Sequence, residues 1–297
     1  MNFKITTELV MKLIAEQFPQ WADLPIRQVE PGGNDNKMFR LGKQMVVRLP
    51  SNQNYRAQVK KEQEWLPKIA PHLSVTIPKP LAQGAPSKSY LYEWSIYEWI
   101  EGDSIDKFYI YELSLQQIAL QLAKFLNELH AIDTTDAPTS GMHNFHRGGD
   151  LSVYDAQTRA ALDELKDEID VEAATLCWQT ALNSKWEKKP VWVHGDLSIA
   201  NLIGQQLELG AVIDFGCMAV GDPACDLVIA WTFFEGSSRE FFLSDLVGLD
   251  SQTEQRARGW ALWKALILLV GQKDKTSPKA LQEKYIIENI FSSKKVT

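Results

Sequence analysis

Read from its N-terminus, the chain first shows apolar residues at helical spacing. Leu9, Val10, Leu13, Ile14 and Phe18 form one stripe, which predicts an amphipathic helix capped at Thr6 or Thr7 and ended by Pro19. The pattern then shortens and alternates. Residues 26–29, 37–41 and 45–49 read as three strands, joined by a glycine-bearing stretch, PGGNDN (31–36), and by a turn at Gly42-Lys43. Helical spacing returns over residues 59–69, with Trp65, Leu66 and Ile69 inward, and the proline-flanked segment 71–80 breaks it. Another strand is expected over residues 90–100, ending at Glu101-Gly102. Beyond it the pattern turns helical. Residues 115–130 carry Ile118, Leu122, Phe125, Leu126 and Leu129 on one face, and His130 is expected as a cation at that helix's C-terminus. Residues 155–165, 171–182 (capped by Asp170), 226–234, 254–270 and 280–291 complete the predicted helices.

Length and composition narrow the class. With 297 residues, 45% of them hydrophobic, the chain can build two lobes with a real core. The longest apolar run, residues 265–270, is too short to span a bilayer. Glu8 and Glu16 lie inside the first helical pattern, which excludes a signal peptide there and leaves no membrane partner expected. Three cysteines without a CxxC pair or ligand-like spacing fit a reducing cytoplasm. The net charge of −7 disfavours nucleic acid as a partner and tolerates a cationic ligand.

Candidate chemistry is concentrated in residues 191–226. A short apolar strand, residues 191–193, delivers His194-Gly195-Asp196, and a second, residues 211–213, delivers Asp214-Phe215-Gly216. Between them lies the polar loop SIAN, which ends at Asn201. Phosphoryl transfer needs such a set: one carboxylate to orient and deprotonate a hydroxyl, and hard oxygen ligands for magnesium on nucleotide phosphates. His194, Asp196, Leu197 and Asn201 fit H-x-D-L-x-x-x-N, and residues 214–216 fit D-F-G. A lone Asp after a strand is as often a turn former; two motifs in this order favour the catalytic reading.

HGDLSIANL followed by AVIDFGCMAVGDPACDL resembles the aminoglycoside phosphotransferase family, small-molecule kinases with a protein-kinase-like fold. Gly195 stands where protein kinases carry an Arg that receives an activation-loop phosphate, which argues against a protein kinase. The resemblance implies a two-lobed α+β fold. Residues 1–96 would form a small N-terminal lobe with an antiparallel sheet, 97–102 a hinge, and 103–297 a larger, mostly helical lobe.

The same resemblance implies the roles within the site. Asp196 would take the acceptor's proton, and Asn201 and Asp214 would hold Mg2+. Arg48 ends the third strand where kinases place a lysine, with Glu62 as its partner, while Glu64 points elsewhere. Gly32 and Gly33 would lie over the phosphates of ATP, or of GTP, although the full GxGxxG pattern is absent. Backbone groups of Glu98, Trp99 and Ile100 would face the adenine. His194 would fix the catalytic loop, and Asp222 and Asp226 would brace it. The implied acceptor is an aminoglycoside or related antibiotic, approached through an acidic rim drawn from Asp163, Glu164, Asp167, Glu168 and Glu235. Kinases of choline, homoserine and sugar-like metabolites belong to the same family and remain an alternative. A non-catalytic nucleotide binder is suggested only by Arg48 and the irregular glycine loop; the intact Asp196, Asn201 and Asp214 weigh against it.

Overall fold

The protein is described by a computed structural model over residues 4–30, 35–108 and 113–292. Helix α1 (Thr7–Gln17) begins where the Thr6 hydroxyl accepts the Leu9 N–H at 3.3 Å. Strands β1 (Ile26–Gln28), β2 (Asn36–Leu41) and β3 (Met45–Pro50) follow, then helix α2 (Arg56–Ile69) and strands β4 (Pro80–Gly84) and β5 (Trp94–Glu98). They form one antiparallel sheet in the order β1-β2-β3-β5-β4. The two-residue period of β3 assigns its faces. Val47 and Leu49 join Val10, Leu13 and Ile14 of α1 in one apolar cluster, while Val46 joins the other cluster and Arg48 lies on that same opposite face.

The strand expected over residues 90–100 is confined to β5. Upstream of it the Ser87 hydroxyl accepts the N–H groups of Ser89 and Tyr90, a local turn that competes with extended pairing. Downstream, the Trp99 N–H donates to Gln44 O at 2.8 Å and the chain leaves the sheet.

The larger lobe contains β6 (Asp103–Ser104), α3 (Leu115–Ala131), α4 (Asp155–Glu164), α5 (Val171–Asn183) and β7 (Val191–Val193). It continues through β8 (Leu202–Gln205), β9 (Glu208–Val212), β10 (Ala219–Gly221), α6 (Ile229–Thr232), α7 (Gly236–Ser244), α8 (Ser251–Val270) and α9 (Pro278–Ser292). Short sheets β10-β7 and β6-β8-β9 carry residues 191–221, the stretch with the candidate chemistry. The helix expected from Asp226 is instead a 3-10 turn, Pro223–Val228, followed by one turn of α6. Helices α3 and α8 supply much of the core, including Phe125, Leu129, Trp260 and Leu266. Among the described residues no helix is long and apolar enough to cross a membrane.

His130 differs from the expectation. Burial pushes its imidazole down to about 4, so it is neutral at pH 7 and not a helix-terminal cation.

Candidate active site

The loop expected to be catalytic starts where β7 ends, at Val193. His194 is fully buried, and the N–H groups of His194 and Gly195 donate to the two carboxylate oxygens of Asp226, each at 2.7 Å. The His194 ring donates through Nε2 to Ile213 O (2.9 Å) and accepts the Asp196 N–H at Nδ1 (3.2 Å). Both ring nitrogens are thereby committed to holding the loop, as expected. Gly195 has φ +83°, and a Cβ there would lie 2.3 Å from Cys217 O. No arginine fits this position, which gives the glycine of the motif a steric cause.

Asp196 and Asp214 come together through Asn201. The Asn201 side-chain amide donates to the backbone carbonyl of Asp196 (2.9 Å), and the backbone carbonyl of Asn201 accepts the Ile213 N–H (2.9 Å), one residue before Asp214. Asp214 sits in the left-handed region, φ +65°, at the start of the turn Phe215–Cys217. Phe215 is buried with its ring edge-on to His194, 4.6 Å between centroids.

Arg48 bridges the lobes. Its Nη2 lies 2.9 Å from Asp214 Oδ1 and its Nη1 3.3 Å from Glu62 Oε1, while the Tyr97 hydroxyl donates to Glu62 Oε2 at 2.6 Å. Burial alone would lower the guanidinium's pKa; the Glu62 and Asp214 carboxylates outweigh it and raise the pKa well above its ordinary value. Glu64 instead pairs with exposed Lys68 at 3.1 Å.

After β5, in the segment expected as the hinge, the Glu98 and Trp99 N–H groups are engaged by Lys79 O and Gln44 O, at 2.9 and 2.8 Å. The Trp99 ring is covered by the Arg40 guanidinium, 3.8 Å from its centroid. Among the described residues the Ile100 N–H has no protein partner. Gly32 and Gly33 lie outside the described residues.

Two groups missed in the sequence stand beside Asp196. Lys264 of α8 places Nζ 3.1 Å from Asp196 Oδ1, and Arg147 lines the same crevice. A single charge inside the apolar run WALWKALILLV was the available signal for Lys264; Arg147 carried none.

The donor set suits magnesium only in company with a nucleotide. Asp214 and Asn201 offer hard oxygens, but among the described residues no cluster of three or more His, Cys, Asp or Glu could cage an ion. Magnesium is commonly held in this way, by one or two side chains plus substrate phosphates.

The model of the phosphotransferase enzyme family matches residues 26–260, most of the sequence. The chain belongs to that family. This phosphotransferase is thus a small-molecule kinase, and its two-lobed architecture agrees with solved structures. An aminoglycoside 2'-phosphotransferase of type IIIa in its GDP complex superposes with a TM-score of 0.70 at 20% identity, covering 96% of this chain and 98% of that one. The GDP and kanamycin complex of a related aminoglycoside phosphotransferase gives 0.69 at 19% identity, with 95% and 97% covered. The macrolide 2'-phosphotransferase MphH from Brachybacterium faecium gives 0.60 at 20% identity, with 97% and 99% covered. None of the curated proteins matches the phosphotransferase significantly.

Proposed function

We propose that the protein transfers the γ-phosphoryl group of ATP, with GTP as a second donor, to a hydroxyl of a small molecule. One observation carries this reading: Asn201 hydrogen-bonds Asp196 and abuts Asp214, which Arg48 ties to Glu62. Asp196 orients the acceptor hydroxyl and takes its proton as the new O–P bond forms and the bond to the nucleoside diphosphate breaks. Arg48 lies where a phosphate can replace one of its carboxylate partners, with Glu62 steadying it. The backbone from Glu98 to Ile100 receives the base through the Ile100 N–H. Residues 1–96 act as the nucleotide lobe, 97–102 as the hinge and 103–297 as the acceptor lobe. Magnesium, held by Asp214 and Asn201, would neutralise charge on the phosphates.

The solved neighbours, aminoglycoside and macrolide phosphotransferases, support an antibiotic as acceptor. A metabolite is the second reading, favoured by the basic and aromatic side chains beside Asp196.

Two variants test the division of labour. Asp196→Asn should keep Mg-nucleotide binding and lose transfer by about two to four orders of magnitude. Asp214→Ala should also weaken nucleotide binding in magnesium, because a metal ligand is gone. Equal loss of nucleotide affinity in both, measured by titration calorimetry, would overturn the assignment.

A further inference from the structure

The crevice beside Asp196 is lined by Arg147, Trp260, Trp263 and Lys264, among others. Its charges are not evenly matched. Lys264 is engaged by Asp196 at 3.1 Å. The other acidic group near Lys264 is Glu283 of α9, whose carboxyl burial pushes up to about 7 against the pull of that lysine. Arg147 is in electrostatic reach of the same Asp196 carboxylate, but among the described residues its guanidinium makes no ion pair or hydrogen bond. It lies instead on aromatic faces, 4.4 Å from the Trp263 centroid, 5.5 Å from Trp260 and 5.9 Å from Tyr154. Stacking uses the face of a planar cation and leaves its in-plane N–H donors without acceptors. The Trp260 indole N–H is likewise buried without a partner among the described residues.

The residues expected as a cation-attracting rim do not line this crevice. Glu164 and Glu168 face lysines of the C-terminal segment, Lys275 at 3.8 Å and Lys284 at 2.5 Å.

We propose that the acceptor carries an oxyanion, a carboxylate or a phosphate, which docks on Arg147 while the acceptor hydroxyl meets Asp196. The proposal rests on the phosphotransferase reading of Asp196. A guanidinium fork takes two oxygens of one oxyanion at the mouth of the crevice. The crevice encloses about 10 Å³, room for one oxygen-sized group, so the acceptor's body lies over it. A polycation in the same place would set like charge against Arg147.

The full chain with Mg-ATP is assayed for phosphorylated product on matched hydroxylated compounds. Glycerate and gluconate form the carboxylate arm, glycerol 3-phosphate the phosphate arm, and kanamycin, choline and glucose the cationic and neutral arm. Product from an oxyanion arm is expected. Arg147→Ala should raise that acceptor's KM by about tenfold to a hundredfold, as for a lost charge-assisted pair, and Arg147→Lys should recover part of it. Turnover confined to the cationic and neutral arm overturns the proposal and leaves the phosphotransferase reading standing.

Binding is followed separately, by tryptophan fluorescence of the Mg-ADP-bound chain titrated with the oxyanion compounds. A saturable change that Arg147→Ala abolishes supports the proposal. No change in the wild type, or the same change in the variant, overturns it. Asp196→Asn separates the two readings, because it should cut product by about two to four orders of magnitude and keep the Arg147-dependent signal.

Discussion

Asp196 is held between opposing influences. Burial pushes its carboxyl up, but the charge and hydrogen bond of Lys264, with Arg147 and His194, hold it below its ordinary value. It is therefore ionised at neutral pH, as the proposed acceptor of the hydroxyl's proton must be. Lys264→Met removes the main opposing charge, so the carboxyl pKa should rise and protonation should silence the base at higher pH. The acid limb of kcat/KM should then move to higher pH in the variant. A limb unmoved or displaced to lower pH, in a pH–rate series on the same acceptor, would refute this account of Lys264. Arg48 shows why the departure from lysine is tolerable: its two terminal nitrogens reach two different carboxylates, Glu62 and Asp214. A single ammonium offers no such fork.

At the scale of elements, the catalytic loop is pinned from behind by the turn Pro223–Val228. Asp226 is fully buried and accepts two backbone N–H groups. Asp222 in turn pairs with Arg256 of α8 at 2.6 Å. Asp226→Asn places an amide donor against one of those N–H groups. It should cost about 1–3 kcal/mol of stability, the penalty of a buried unmet donor. It should also lower kcat more than it raises nucleotide KM, since the loop and not the hinge is displaced. Urea unfolding and steady-state kinetics check both; unchanged stability would mean that the turn follows the loop and does not hold it.

For the whole molecule, the larger apolar cluster runs without a break from the second lobe to Val46, Leu66 and Tyr97 of the first. His130 lies within that larger lobe, with Nε2 buried and without a partner among the described residues. The folded chain protonates it only near pH 4, the unfolded chain near 6.5. Between these values the unfolded state binds more protons, so stability falls as pH drops, by up to about 3 kcal/mol. His130→Leu should flatten that slope. Urea midpoints at pH 7 and pH 4.5 measure it, and an equal loss in both proteins would show that other groups dominate.

What the sequence determined by itself was local. The stripe of α1, the alternation of β2 and β3 and the spacing of His194, Asp196 and Asn201 all involve residues a few positions apart, where chain geometry alone sets neighbours. Even the pairing of Arg48 with Glu62 was readable, because strand and helix follow one another directly. The tertiary structure decided the rest. Lys264 reaches Asp196 from 68 residues away, a contact that only the packing of α8 against the loop creates. The neutrality of His130 and the partners of Glu164 and Glu168 have the same origin. Burial and the nearest opposite charge are properties of the packed molecule, and they set both ionisation and the charge an acceptor meets.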